Sequence, residues 1–259
     1  MNVLLMTDIE GITGVDSIDM IPRESEGYIK ACRELMHDTN AAIAGFYDAG
    51  VDTVYVYDGH GGGSNFIDEM LDSRAVRLFR HNWHDYVSGG KIHAYAEVGL
   101  HAMAGAENAF LEHTQSSKTW FDYKINGVSC GELIQGAAYV GAYDIPMIFV
   151  SGDAAICEES KRFIPGIATA TVKYANCRNS ATSLPEKEAR ALIRKAACES
   201  VSLANKIKPY KISFPAEILV TFQRTDYCDE AALKNERISS RTVRKVITEI
   251  TDFASLLPN

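Results

Sequence analysis

Residues 2–7 read NVLLMT, residues 25–49 read SEGYIKACRELMHDTNAAIAGFYDA, and residues 51–57 read VDTVYVY. The first is a short apolar run followed at once by acids, the pattern of a buried strand. In the second, Tyr28, Ala31, Cys32, Leu35, Met36, Ala42, Ile43 and Phe46 recur at helical spacing, and Gly50 stands where a helix C-terminus is closed. The third is β-branched and aromatic, hence a second strand. Strand, helix, strand is the unit that builds a parallel sheet, because parallel neighbours need a long crossover.

The rest of the chain extends that pattern less evenly. AVRLF at 75–79 reads as a strand, and Phe121 to Ile125 leads into the Asn126-Gly127 turn. Residues 132–143 read as a helix, PMIFV at 146–150 as another buried strand, and Pro185 opens a long helix reaching about residue 207. Glu217 to Phe222 and Thr242 to Ile250 read as strands in a more polar segment. The expected fold class is α/β, a mainly parallel sheet flanked by helices with a smaller C-terminal α+β part. The expected division is an α/β domain over 1–210 and a smaller subdomain over 211–259.

Composition narrows the function classes. The chain has 259 residues, with 26 basic and 34 acidic side chains and a formal charge of −8. Such a surface repels phosphate backbones and anionic lipids, so neither a nucleic acid nor a membrane is an expected partner. No run approaches the roughly 20 apolar residues of a membrane span, and MNVLLMTDIEG lacks the basic start and long apolar core of a signal peptide. The six cysteines stand 20 or more residues apart, so no CxxC pair exists. Scattered thiols without an export signal imply a reducing, cytoplasmic location.

In an open parallel sheet, functional groups gather outside the carboxyl ends of the strands. After the first strand come Asp8 and Glu10, which period-two alternation projects to one side. After the second come Asp58, Gly59 and His60, then Gly61, Gly62 and Gly63. Adjacent carboxylates repel unless a positive charge lies between them, and carboxylate with imidazole suits zinc, manganese or iron. Taken singly, each of these residues reads as a solvated loop acid or a turn histidine. Glu132, at a helix start, has a capping role open to it, and His113 read alone is an ordinary surface or core histidine.

Taken together, MTDIEGITG at 6–14, VYDGHGGGSN at 56–65, GLHAMAG at 99–105, AFLEHT at 109–114 and NGVSCGELIQGAAYVGAYDIPMIFVSGD at 126–153 resemble the M55 peptidase family, the dinuclear zinc D-aminopeptidases of the DppA type. TATVKYANCRNSATSLP at 169–185 is a fainter echo, and the likeness fades over the last fifty residues. The resemblance implies two zinc ions per subunit held by Asp8, Glu10, His60, His101 and Glu132, with His113 in catalysis. It implies a zinc-dependent aminopeptidase that hydrolyses short peptides with N-terminal D-residues through a metal-activated water, and a homo-oligomer of ring form. Two dications would offset the three carboxylate charges, which unpaired could not be tolerated in a dry cleft. Residues 80–98 depart from the family, and His81, His84 and His93 there read either as extra pocket lining or as surface. Glu107 stands where the family leads one to expect Pro.

Four other readings compete. His60-Gly61-Gly62-Gly63 with Gly127-Val128-Ser129-Cys130-Gly131 matches esterase motifs, but that triad needs a histidine after the serine, and none follows Ser129. No P-loop signature occurs. Another dinuclear hydrolase, of amides or phosphoesters, and a metal-stabilised binding or scaffold protein remain alternatives.

Overall fold

The computed structural model describes residues 1–258. In chain order its main elements are β1 (Asn2–Thr7), α1 (Glu26–Asp48), β2 (Thr53–Asp58), β3 (Val76–Leu78), α2 (Trp83–Ser88) and β4 (Ala94–Leu100). Then follow β5 (Trp120–Ile125), β6 (Val128–Ser129), α3 (Glu132–Ala142), β7 (Met147–Asp153), α4 (Ala154–Phe163), β8 (Ala168–Cys177) and β9 (Ser180–Ser183). The chain ends through α5 (Glu186–Ser200), β10 (Ala216–Phe222), α6 (Thr225–Ala231), β11 (Glu236–Arg237) and β12 (Thr242–Ile247).

Seven strands form the main sheet in the order β3-β2-β1-β4-β7-β8-β9, parallel except for the hairpin partner β9. Central β1 is buried on both faces, which is why NVLLMT is continuously apolar. Val3 and Leu5 join the layer built by α1 and α5, while Leu4 points to the opposite layer with α3. A second sheet, antiparallel with order β11-β12-β10-β5-β6, closes that layer. Its strand β10 alternates buried Ala216, Ile218, Val220 and Phe222 with more exposed residues between them, the signature of a sheet with one face wet. Residues 120–129 thus share a sheet with the C-terminal strands. No helix among the described residues is long and apolar enough to cross a membrane.

Three features depart from simple sequence patterns. The stretch 81–99 contains α2 and most of β4, and β4 is wholly buried although it carries Tyr95, Glu97 and Gly99. The long helix after Pro185 ends at Ser200 and tightens into a 3-10 turn over Val201–Leu203. Helix α4 and the β8–β9 hairpin have no clear apolar period, because α4 buries only one narrow stripe and β8 emerges into solvent at its end.

The packing of α1 on α5 encloses Asp38, fully buried, whose Oδ2 accepts from the Thr13 N–H at 2.9 Å. Burial pushes its carboxyl from 3.8 up to about 6, against the pull of the Thr13 hydrogen bonds and the Arg190 and Lys173 charges. The folded chain therefore holds this proton more tightly than the unfolded chain. The contribution is full below pH 4 and is lost as pH rises through about 6, a difference on the order of 3 kcal/mol. Urea denaturation from pH 4 to 7 should show this loss in the wild type, and Asp38→Asn should remove it from the difference curve.

Candidate metal centre

The site forms where the sheet changes direction. The chain runs outward from β1 to β2 on one side and later returns to place β4 on the other, leaving a crevice at the carboxyl ends of β1 and β4. Asp8 follows β1, His60 follows β2 and His101 follows β4. Glu10 lies two residues beyond Asp8, Glu132 is the first residue of α3, and His113 lies on the loop between β4 and β5. All six residues singled out by sequence meet here, from positions up to 124 residues apart, Asp8 to Glu132.

Asp8 sits in the middle. Its Oδ1 accepts from His60 Nδ1 at 2.8 Å, and its Oδ2 lies 3.3 Å from His101 Nε2. His60 Nδ1 is also 3.1 Å from Glu10 Oε2, and His101 Nε2 is 3.4 Å from Glu132 Oε1. His113 stacks on His101 with ring centroids 3.8 Å apart, its Nε2 lying 3.9 Å from Glu132 Oε1. The ligand atoms fall into two groups, Asp8 with Glu10 and His60, and His101 with His113 and Glu132, each within 4.8 Å.

These contacts do not satisfy the groups that make them. Glu10 Oε2 and His101 Nε2 are buried and have no hydrogen-bond partner among the described residues, despite charged neighbours at 3.1–3.4 Å. Their lone pairs converge on shared space rather than on one another. Unpaired buried polar atoms of this kind cost free energy unless something else meets them. A divalent cation answers that requirement, and carboxylate oxygen with imidazole nitrogen is a zinc donor set.

Protonation without a cation is set by the same proximity. Burial alone would raise the Asp8 carboxyl, but hydrogen bonds and charge from His101 and His60 hold it well below the usual range. Burial would lower His60, yet Glu10 and Asp8 push it up to about 11. His101 is raised likewise by Asp8 and Glu132 against its burial, and Glu132 is lowered by His101 and His113 against its own. Two imidazoles are fixed in direction by the backbone. His101 Nδ1 donates to the Ala102 carbonyl at 3.0 Å and His113 Nδ1 to the Leu111 carbonyl at 2.8 Å, which leaves each Nε2 facing the site.

Two glycines allow this convergence. A Cβ on Gly131 would stand 2.7 Å from that of Met103, so only Gly lets the α3 N-terminus bring Glu132 beside the His101 loop. Gly99, at a register shift in β4 with φ +79°, would place a Cβ 2.2 Å from the Asp8 carbonyl and 2.5 Å from Ile12 Cδ1. Gly99→Ala is therefore expected to destabilise the fold by roughly 3 kcal/mol or more and to lower metal affinity by displacing Asp8. Chemical denaturation and elemental analysis check the two effects separately.

Other contributors were hidden in the sequence. Lys173 of β8 is fully buried beneath the site, its Nζ donating to the Glu10 carbonyl at 2.9 Å and also to that of Val15. Its only sequence signal is a lysine inside the apolar run TATVKYA. The Gln115 backbone N–H donates to Glu132 Oε1 at 2.8 Å, a contact that side-chain identity cannot reveal. His84 lines the cleft, and its Nδ1 lies 2.9 Å from Tyr139 Oη, while His81 and His93 are exposed. The cleft above the six side chains has a volume of about 700 Å³ and an aromatic wall that includes Tyr57, Trp83 and Phe253.

Comparison with known proteins gives the family and the fold. A family model described as Peptidase M55, D-aminopeptidase, matches residues 1–258. A D-aminopeptidase of Bacillus subtilis strain 168 is 27% identical over 240 residues, covering 88% of this chain and 82% of that protein. A solved structure, described as the Zn-dependent D-aminopeptidase DppA from Bacillus subtilis, a self-compartmentalizing protease, superposes with a TM-score of 0.92 at 22% identity. It covers 100% of this chain and 95% of its own.

Proposed function

The chain belongs to the M55 peptidase family of D-aminopeptidases, and from that premise we propose that its crevice is a dinuclear zinc centre that removes the N-terminal residue of short peptides. The observation that carries this reading is the pair of three-residue ligand groups around Asp8, with Glu10 Oε2 and His101 Nε2 buried and unpartnered. Asp8, Glu10, His60, His101 and Glu132 would hold the ions. The zinc of the Bacillus relative and the donor types here support that metal. Bound there, zinc supplies Lewis acidity for the scissile carbonyl and for the attacking water.

The chain's own groups do the rest. His113 gives its Nδ1–H to Leu111, so Nε2 is the atom free to take a proton. It receives the proton released as water attacks and returns it to the amine that leaves, so peptide and water become an amino acid and a shortened peptide. Tyr57, Trp83 and Phe253 give the peptide a wall that excludes water. Ser129 lies on β6 opposite Lys124 and does not line the cleft, which leaves the esterase reading without its elbow serine at the site. The self-compartmentalizing relative supports a homo-oligomeric assembly, and six free cysteines fit a reducing cytoplasm.

Purified, zinc-loaded protein should release the first residue from D-alanyl peptides faster than from L-alanyl peptides. Activity should vanish with a chelator and return with zinc. Failure of fully loaded protein to cleave either series would contradict the reading.

A further inference from the structure

The acidic floor of the cleft faces two cations that have no acid of their own. Arg80 and Lys118 both line it and both are exposed. Neither makes an ion pair or a hydrogen bond among the described residues. Arg74, Arg178, Arg190, Arg194 and Arg244 each have a carboxylate within 4.0 Å. Lys30, Arg33, Lys187 and Lys208 are also without one among the described residues, but they do not line the cleft. Arg80 follows β3 and reaches back over the turn that carries His60, so that a Cβ on Gly62 would lie 3.5 Å from its Nη1. Its charge reaches Tyr57, where it opposes the burial that raises that hydroxyl. Lys118 stands on the loop that carries His113.

We propose that Arg80 receives the terminal carboxylate of the substrate, so that the enzyme selects short peptides ending in a free carboxylate. This deepens the aminopeptidase reading and rests on it. A short free peptide ends in a carboxylate, and with the floor acids engaged by the ions the cleft still presents an unpaired guanidinium at its rim, the complement of that end. The cleft volume of about 700 Å³ suits a small ligand, so the far end of the substrate lies within the cleft rather than out in solvent. A guanidinium offers two parallel N–H donors to a carboxylate, which a lysine cannot, so Arg80 fixes direction while Lys118 adds attraction at longer range.

D-Alanyl-glycine and D-alanyl-glycinamide differ only in the carboxylate. Zinc-loaded wild type should favour the acid by on the order of 10- to 100-fold in kcat/KM, expressed mainly in KM. In Arg80→Ala the ratio of acid to amide should fall to near unity with zinc content unchanged, and Arg80→Lys should recover part of it. A wild type with no preference for the acid, or an Arg80→Ala variant that keeps it, overturns the proposal while cleavage of either peptide leaves the aminopeptidase reading standing. If wild type cleaves neither, the aminopeptidase reading fails and takes the proposal with it.

Discussion

Asp8→Asn is expected to yield a folded protein that has lost hydrolysis by on the order of a thousandfold or more and holds fewer than two zinc ions per chain. The effect should exceed that of any other single ligand change because Asp8 is shared. One oxygen faces His60 and the other faces His101, so the residue touches both ligand groups. Glu10→Gln and His60→Ala each disturb one group directly, whereas Asn at position 8 weakens both and leaves two imidazoles without their common acid. Removing one partner from a buried charged set is costly because the others remain buried. The fold should survive, since β1 is held by β2 and β4 on either side. Elemental analysis and initial rates on a D-alanyl peptide decide the matter. Two ions and ordinary turnover in Asp8→Asn would remove Asp8 from the centre.

His113→Ala should separate chemistry from metal binding. Turnover is expected to fall roughly 10²- to 10⁴-fold, the range for loss of a positioned acid–base group, with two zinc ions retained. The geometry makes this a demanding test. His113 Nε2 falls in one ligand group with His101 and Glu132, and the two imidazoles are stacked. If metal content falls together with activity, His113 is a ligand and the proton must travel by another group. If metal content holds and KM changes little, the proton-transfer role stands.

Much of the centre was legible because it lies at strand ends, and strand ends follow from apolar patterning. NVLLMT and VDTVYVY place Asp8, Glu10 and His60 at the ends of neighbouring strands. His101, His113 and Glu132 were different. Read alone, each has an ordinary explanation, and only family resemblance drew them to the same place. The physical reason is visible in β4, whose buried strand carries Tyr95, with its hydroxyl donating to Glu97 Oε1 at 2.5 Å, and Gly99 at a bulge. Those residues break the apolar pattern that would have announced the strand that His101 follows. Burial of Glu97 pushes its carboxyl up to about 8 against the help of Tyr95, so the pair can occupy the core largely protonated. Lys173 and the Gln115 N–H were out of reach for another reason. Their roles depend on which backbone groups tertiary packing brings near Glu10 and Glu132, and no local sequence pattern encodes that. The second sheet posed the same difficulty, since β5 and β10 pair across 93 to 102 residues, from Ile125 with Ile218 to Trp120 with Phe222.

The most direct test is anomalous diffraction at the zinc edge from crystals of zinc-loaded protein. Two peaks per chain are expected, one against Asp8, Glu10 and His60 and the other against Asp8, His101 and Glu132. A single peak, or two peaks away from Asp8, would contradict the dinuclear centre on which the account of this enzyme rests.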